Sequence, residues 1–393
     1  MKKPTANNDR ESGQAILLAV FGLIVLLGAA GLAVDMGYLR YERRLQQSAA
    51  DSAALAGAAA LGVGADYTTA ATDDATLNGF KSGQGSIQVT SSQVTFNGNP
   101  KSVQVDVANT YDTFFMKIFG RAASKATVSA TAVAQYSGSH NCVYALKGGG
   151  GITVTHDVDM HNCGIIDDQD LSGSGSISGI SVGVHGSSSA TTNPPAITGI
   201  LQASDPLSSL PVPPIGSPCR TINLNANPTK PLPPLNPGTY CGISFSGTFN
   251  QNVTFNGGGT YVITGPGGLS FHGAGGTLSG TDVTFYLSGG AIDWGTNQTV
   301  QFSAPTNGTY SGILFFQDAG NAATANVNGT VNSRLQGAFY FPGATLNMNG
   351  AGNNAAYMIF VAQTLNFNTD ISFTSDYSSL ANGSPIKSAV LVE

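Results

Sequence analysis

From Ala15 to Val34 the chain carries twenty residues without a charge, Ala15-Ile-Leu-Leu-Ala-Val-Phe-Gly-Leu-Ile-Val-Leu-Leu-Gly-Ala-Ala-Gly-Leu-Ala-Val34, and this run constrains everything that follows it. As a helix it measures about 30 Å, the hydrocarbon thickness of a bilayer. A cleaved secretory signal has a shorter apolar core of about 7 to 15 residues and then a small-x-small site. Gly31-Leu32-Ala33 is a poor version of such a site, so the run is expected to remain as a single uncleaved span. Lys2, Lys3 and Arg10 precede it while Arg40, Arg43 and Arg44 follow, so the positive charges alone do not orient it. The long Gly- and Asn-rich remainder, its cysteines and the lack of a later apolar span favour the N-terminus inside and the bulk of the chain outside the cytoplasm.

The helix is expected to continue beyond the span. Asp35 to Leu61 has no proline, is rich in Ala, Leu, Gln and Arg, and keeps Leu45, Ala49, Ser52, Ala53 and Ala56 on one stripe. Small residues on a stripe admit close approach of another helix. Packing on a partner helix and packing on the chain's own next domain both fit. The first region is therefore 1–62, comprising a cytoplasmic tip, the transmembrane helix 15–34 and its extension.

Gly13-Gln14-Ala15, Val34-Asp35-Met36-Gly37 and the run Arg44-Leu45-Gln46-Gln47-Ser48-Ala49-Ala50-Asp51-Ser52-Ala53-Ala54-Leu55-Ala56-Gly57 resemble the N-terminal module of Tad-type (tight adherence, Flp) pilus-assembly proteins of the TadE/TadG-like group. Scattered segments between Cys142 and Gln363 are similar to the outer region of TadG-related proteins, among them Asp205-Pro206-Leu207, Pro237-Gly238-Thr239-Tyr240-Cys241-Gly242 and Tyr310-Ser311-Gly312-Ile313-Leu314-Phe315-Phe316-Gln317-Asp318. The resemblance implies a component of a pilus or secretion machine in the inner (cytoplasmic) membrane, with no catalytic residue to carry across. Two departures limit it. Pilin-like members cleaved by a prepilin peptidase carry a Glu five residues past the processing Gly, whereas Leu18 stands there after Gly13. Some Tad members have a von Willebrand A-type metal loop, and Asp170-Leu171-Ser172-Gly173-Ser174 matches its Asp-x-Ser-x-Ser, but without the preceding apolar strand, and is read as a turn.

Residues 63–137 read as a small α+β segment of pilin-like organisation. Ser86 to Phe96 and Ser102 to Ala108 alternate apolar and polar side chains, Asn97-Gly98-Asn99-Pro100 connects them as a hairpin, Tyr111 to Phe119 is expected as a short helix, and Ala126 to Tyr136 as a further strand.

Residues 138–393 differ in surface: they hold 5 Lys/Arg and 12 Asp/Glu, against 11 and 10 in residues 1–137. Over the whole chain the charged fraction is 10%, far below the roughly 25% of an ordinary domain, and there are 51 glycines. Net charge is −6 with no Lys/Arg-dense stripe, which sets nucleic-acid binding aside. Gly-Thr recurs at Gly238, Gly247, Gly259, Gly276, Gly280, Gly295, Gly308 and Gly329. Short strands between repeated tight turns predict a parallel β-helix, favoured by Asn-rich turns and few charges, with a jelly roll or sandwich as the alternative. Val283 to Leu287, Ile313 to Phe316, Ala338 to Phe341, Met358 to Val361 and Leu365 to Phe367 are its expected interior. The Pro-rich insertion 194–237 is expected to lie across the surface without forming rungs. Cys142, Cys163, Cys219 and Cys241 lack CxxC spacing; Cys142 with Cys163 and Cys219 with Cys241 are the economical disulfides among three connectivities.

No catalytic, cofactor-binding or metal site is assigned. Asp157, Asp159 and His161 would share a strand face and could hold a divalent cation, but a solvated face is the plainer reading. An enzyme acting on acidic polysaccharide would need carboxylates such as Asp167, Asp168 and Asp170 opposite one of Lys147, Arg220, Lys230, Arg334 or Lys387, and none stands in a recognisable constellation. Exposed rings, including Trp294 and several Tyr, would instead suit an adhesin contacting a surface glycan. The expectation is a non-catalytic, membrane-anchored structural component of a Tad/Flp-type pilus or secretion system, whose helix meets other assembly proteins.

Overall fold

The computed structural model describes residues 11–62, 64–120, 124–224, 232–247, 251–273, 275–295, 299–330, 332–350 and 355–392. Lys2, Lys3, Arg10 and Lys230, named above, and part of the 194–237 insertion lie outside them. The chain divides into two compact units: residues 1–137 with 388–393, and residues 138–387. The C-terminal six residues, read above as the end of the solenoid region, thus belong with the N-terminal unit.

In the first unit, helix α1 (Glu11–Gly62) is unbroken, as its lack of proline requires. A second helix that the sequence reading missed, α2 (Tyr67–Leu77), starts where the Asp66 carboxylate accepts the Thr68 N–H at 3.0 Å. Strands β1 (Gln88–Phe96), β2 (Asn99–Asp112) and β3 (Lys125–Gly138) form an antiparallel sheet, extended beside β3 by the C-terminal strand Lys387–Leu391. The hairpin turn is shorter than expected. Asn97 (φ 47°) and Gly98 (φ 81°) both take positive φ, the requirement of a two-residue type I′ turn, so Asn99 already pairs with Phe96. The expected helix over Tyr111 to Phe119 is corrected: Tyr111 and Asp112 end β2, paired with Ala126 and Lys125, and only Met116–Phe119 forms a 3-10 turn. An isolated helix of two turns is marginal, and continuing an existing ladder satisfies the same backbone groups.

The stripe of α1 meets the chain's own sheet. Ala49, Ala50, Ala53, Ala54 and Ala58 are buried with Val103, Val105 and Val107 of β2, Ala130, Ala132 and Ala134 of β3, and Ala71 and Ala75 of α2. Leu45, expected on this face, remains 42% exposed.

The second unit is a parallel β solenoid. Strands of successive turns pair in register, and one inward column runs Tyr261, Phe285, Phe315, Phe339, Phe360, Val143, Ile165, Val182. Its rings follow one another at centroid distances of 5.2, 5.5, 5.1 and 5.1 Å along Tyr261, Phe285, Phe315, Phe339 and Phe360, stacked or tilted. Asn326, Asn347 and Asn366 form a side-chain hydrogen-bond ladder along the same direction, at 2.7 and 2.8 Å. The order of turns is not the order of sequence. The late strand Met358–Phe367 pairs with the early strands Asn141–Ala145 and Gly151–Val154, and Ile371–Thr374 pairs with Val158–His161. The chain therefore begins in mid-stack, winds to one end, returns through 199–219, restarts with Arg220–Leu224 and winds back to where it began. Its first and last residues meet there, Ser139 N–H donating to Ile386 C=O at 3.0 Å.

The Pro-rich stretch contributes more than expected: Ile197–Thr198 pairs with Val182–Val184 and Arg220–Leu224 with the strand Gly238–Gly247. Its described prolines flank these strands and do not interrupt them. Both expected disulfides are formed, Cys142–Cys163 and Cys219–Cys241.

Candidate functional site

Along α1 three zones follow from what each side chain touches. Residues 16–34 are exposed at every position except Gly31, and this is the one helix among the described residues long and apolar enough to cross a membrane. It is a candidate single-pass anchor. Residues 46–62 form the docked zone. Between them lies a neck that begins with Asp35.

Asp35 is fully buried, and its carboxylate accepts the backbone N–H groups of Phe114 (2.9 Å), Phe115 (2.9 Å) and Met116 (2.6 Å). Those are donors that the start of the 3-10 turn leaves without intrahelical partners. Tyr38, one turn further on, meets Tyr111 edge-on at 5.9 Å and Phe114 at 5.4 Å. Gln46 is buried and donates to the Tyr111 hydroxyl at 3.4 Å, while Gln47 donates to Asp51 at 2.7 Å and to the Thr131 carbonyl at 3.0 Å. Arg40, Arg43 and Arg44 are exposed. The motif read in the sequence is therefore a docking device: an acidic latch, a glutamine pair reaching the sheet, and an alanine face that lies flat on valines. The latch's partner loop had no signal in the sequence.

The residues weighed for chemistry in the solenoid do not converge. Asp157, Asp159 and His161 share one face, but the Ser176 hydroxyl donates to Asp157 at 2.8 Å and the Ser178 hydroxyl to Asp159 at 2.7 Å. His161 stands 3.3 Å from Asp159 on an exposed surface. Among the described residues no group of three or more His, Cys, Asp or Glu is arranged to hold a metal ion. Asp170 accepts both the N–H and the hydroxyl of Ser187 at 2.7 Å, and Leu171–Gly173 is a rung strand with Leu171 buried, so the Asp-x-Ser-x-Ser sequence is not the simple turn expected.

Asp167 and Asp168 are buried. Asp167 accepts the N–H groups of Ile152 and Gln169, both at 2.9 Å; burial pushes its carboxyl up, those two donors oppose the shift, and Asp168 and Asp170 add to it. Asp168 accepts the Ala203 N–H at 2.8 Å, and burial pushes this carboxyl up as well, against the pull of that donor, His185 and Lys147. Both fasten backbone. Trp294, expected as an exposed ring, is 0% exposed and stacks on Phe271 at 5.3 Å; Tyr240, Tyr261, Tyr286 and Tyr357 are buried too. An inward column needs large apolar volume at each turn, and Trp294 and Tyr261 help to fill it.

Residues 13–60 match the model of the family described as putative Flp pilus-assembly TadE/G-like. No curated protein and no solved structure matches the chain. The matched segment begins just before the apolar run and ends within the docked zone, and so contains Asp35, the glutamines and all five buried alanines of the α1 face. The N-terminal segment of this protein is thus a TadE/TadG-like module of the Tad-type pilus-assembly family.

Proposed function

We propose that this protein is a non-catalytic structural component of a Tad/Flp-type pilus or secretion system. It is held in the inner membrane by residues 15–34, N-terminus inside, and carries its disulfide-bonded solenoid in the periplasm or beyond. The observation that supports the reading best is the division of α1: the face at 46–62 is occupied by the chain's own sheet, while every residue of 16–34 except Gly31, on which Phe115 packs, is exposed and apolar. Lipid and the helices of other pilus-assembly proteins are the matching surroundings. A solenoid with buried aromatics and scattered carboxylates then serves as a rigid body presented outside the membrane.

Deletion of the gene with pilus assembly as the readout, together with photo-crosslinking from Val25, tests this. Loss of pili, restored by the full chain, and crosslinks to pilus-system proteins are expected. Normal pili in the deletion strain and a chain recovered free of membrane refute it.

A further inference from the structure

Outside α1, three of the exposed large apolar side chains of the first unit sit in one loop: Phe114 (55% exposed), Phe115 (53%) and Ile118 (83%). The loop lies along the apolar run. A Cβ added to Gly31 would fall 2.8 Å from Phe115 Cγ, so this ring presses on the helix where only glycine leaves room. Gly31 is four residues inside Asp35, about 6 Å along the axis at 1.5 Å per residue. The cleft between helix and loop is lined by Ile24, Leu27 and Leu32 facing Phe115 and Ile118, with no polar side chain.

Irregular backbone is excluded from lipid unless its polar groups are satisfied within the protein. Here they are. Asp35 takes the N–H groups of Phe114, Phe115 and Met116, Thr113 N–H donates to Ser124 C=O, Ile118 N–H to Phe115 C=O and Gly120 N–H to Lys117 C=O. Lys117, exposed between apolar neighbours, has the long stem that reaches a headgroup from an apolar surface, and Tyr38 beside Phe114 is a ring of the kind enriched at that level.

We propose that the Phe114–Ile118 loop is a second membrane contact, inserted beside α1 into the leaflet nearest the β sheet, with Asp35 holding it in an insertable form. The occupant of its apolar face is lipid, because that face is continuous with the span and six of the loop's backbone donors are bonded within the chain. The inference rests on the reading of 15–34 as an anchor.

Nitroxide labels on single cysteines introduced at Val25, Ile118 and, as a control, Leu77 test it in the full chain, whose native cysteines are paired. The labelled protein is placed in phosphatidylcholine/phosphatidylglycerol vesicles, and collision with oxygen is compared with collision with a water-soluble nickel chelate. Val25 and Ile118 should both favour oxygen and Leu77 the chelate. If Ile118 behaves as Leu77 while Val25 stays in lipid, the loop contact is overturned and the anchor stands. If Val25 behaves as Leu77, the anchor fails and takes the loop with it. Spin–spin broadening at Ile118 that dilution with unlabelled chain removes would put a second copy on the loop in place of lipid, which also overturns the proposal. Ile118 is largely exposed, so its replacement removes little packing. In Asp35→Asn the oxygen preference at Ile118 should fall several-fold; an unchanged ratio would remove Asp35 from the proposal.

Discussion

Removing the Asp205 carboxylate should release the Pro-rich strap from the solenoid. The strap, 199–219, is tied at intervals: Ala203 N–H to Asp168 at 2.8 Å, the Tyr340 hydroxyl to Asp205 at 2.7 Å, the Tyr310 hydroxyl to Pro211 C=O at 2.9 Å, and Gly216 N–H to the Thr239 hydroxyl at 2.8 Å. Of the outward rings of the solenoid, Tyr286 meets Phe316 edge-on at 4.9 Å and Phe316 stacks on Tyr340 at 5.2 Å, and all three are at most 5% exposed. Asp205 also accepts the N–H of Leu207, which is 4% exposed. Asp205→Ala therefore deletes two hydrogen bonds to a charged acceptor, nominally about 1.5–3 kcal/mol each. Asp205 is half-buried, so water replaces part of this, and about 3 kcal/mol in total is the working figure. Tyr340→Phe removes only one bond and should weaken the strap by about 1.5 kcal/mol. At 1.4 kcal/mol per tenfold, proteolytic cleavage within the strap should accelerate about a hundredfold in Asp205→Ala and about tenfold in Tyr340→Phe, with opening as a rapid pre-equilibrium. Limited chymotrypsin digestion with mass analysis of the fragments reads both. Cleavage of Asp205→Ala at the wild-type rate would refute this account of the strap.

Replacing Cys142 and Cys163 together with Ala opens a loop of 21 residues' separation and should lower the solenoid's stability by about 3 kcal/mol, read as the unfolding free energy from urea titration. Gly268 has φ +59° and a Cβ there would lie 2.1 Å from the Ala291 carbonyl of the next turn, whereas Gly308 has φ +80° and open space. Gly308→Ala should lose only about 1–2 kcal/mol for left-handed backbone, and Gly268→Ala distinctly more, measured by thermal unfolding. The Asp167 carboxyl is pushed up in the folded state, so the native chain holds this proton to higher pH than the unfolded one. Its ionisation therefore opposes folding: this contribution improves as pH falls through the folded value toward the ordinary carboxylate value of about 3.9, and is constant below it. The stability difference between wild type and Asp167→Asn, followed by urea titration across the acid range, should shift in favour of wild type as pH drops; parallel curves would contradict it.

What the sequence by itself determined were features written in neighbouring residues. The uncharged run, the unbroken helix beyond it, the alternation of β1 and β2, the Gly-punctuated strands and the sequential cysteine pairs each depend on a local period or a local conformational need. The TadE/TadG-like motif was legible for the same reason, since its latch, glutamines and alanines all lie on one helix. Where the reading failed, a distant partner had the deciding energy. Tyr111 and Asp112 became strand because β3 offered a ladder, and Trp294 was buried because a column of rings at each turn demanded volume. Pairing Phe360 with Val143 joins residues 217 positions apart, and the return of the last strand to the first sheet, the strap over the outward rings and the loop clamped by Asp35 are likewise long-range. Hydrophobic burial and hydrogen bonding have no direction along the chain, so any strand of the right pattern can serve as a neighbour, and only the assembled structure fixes which one does.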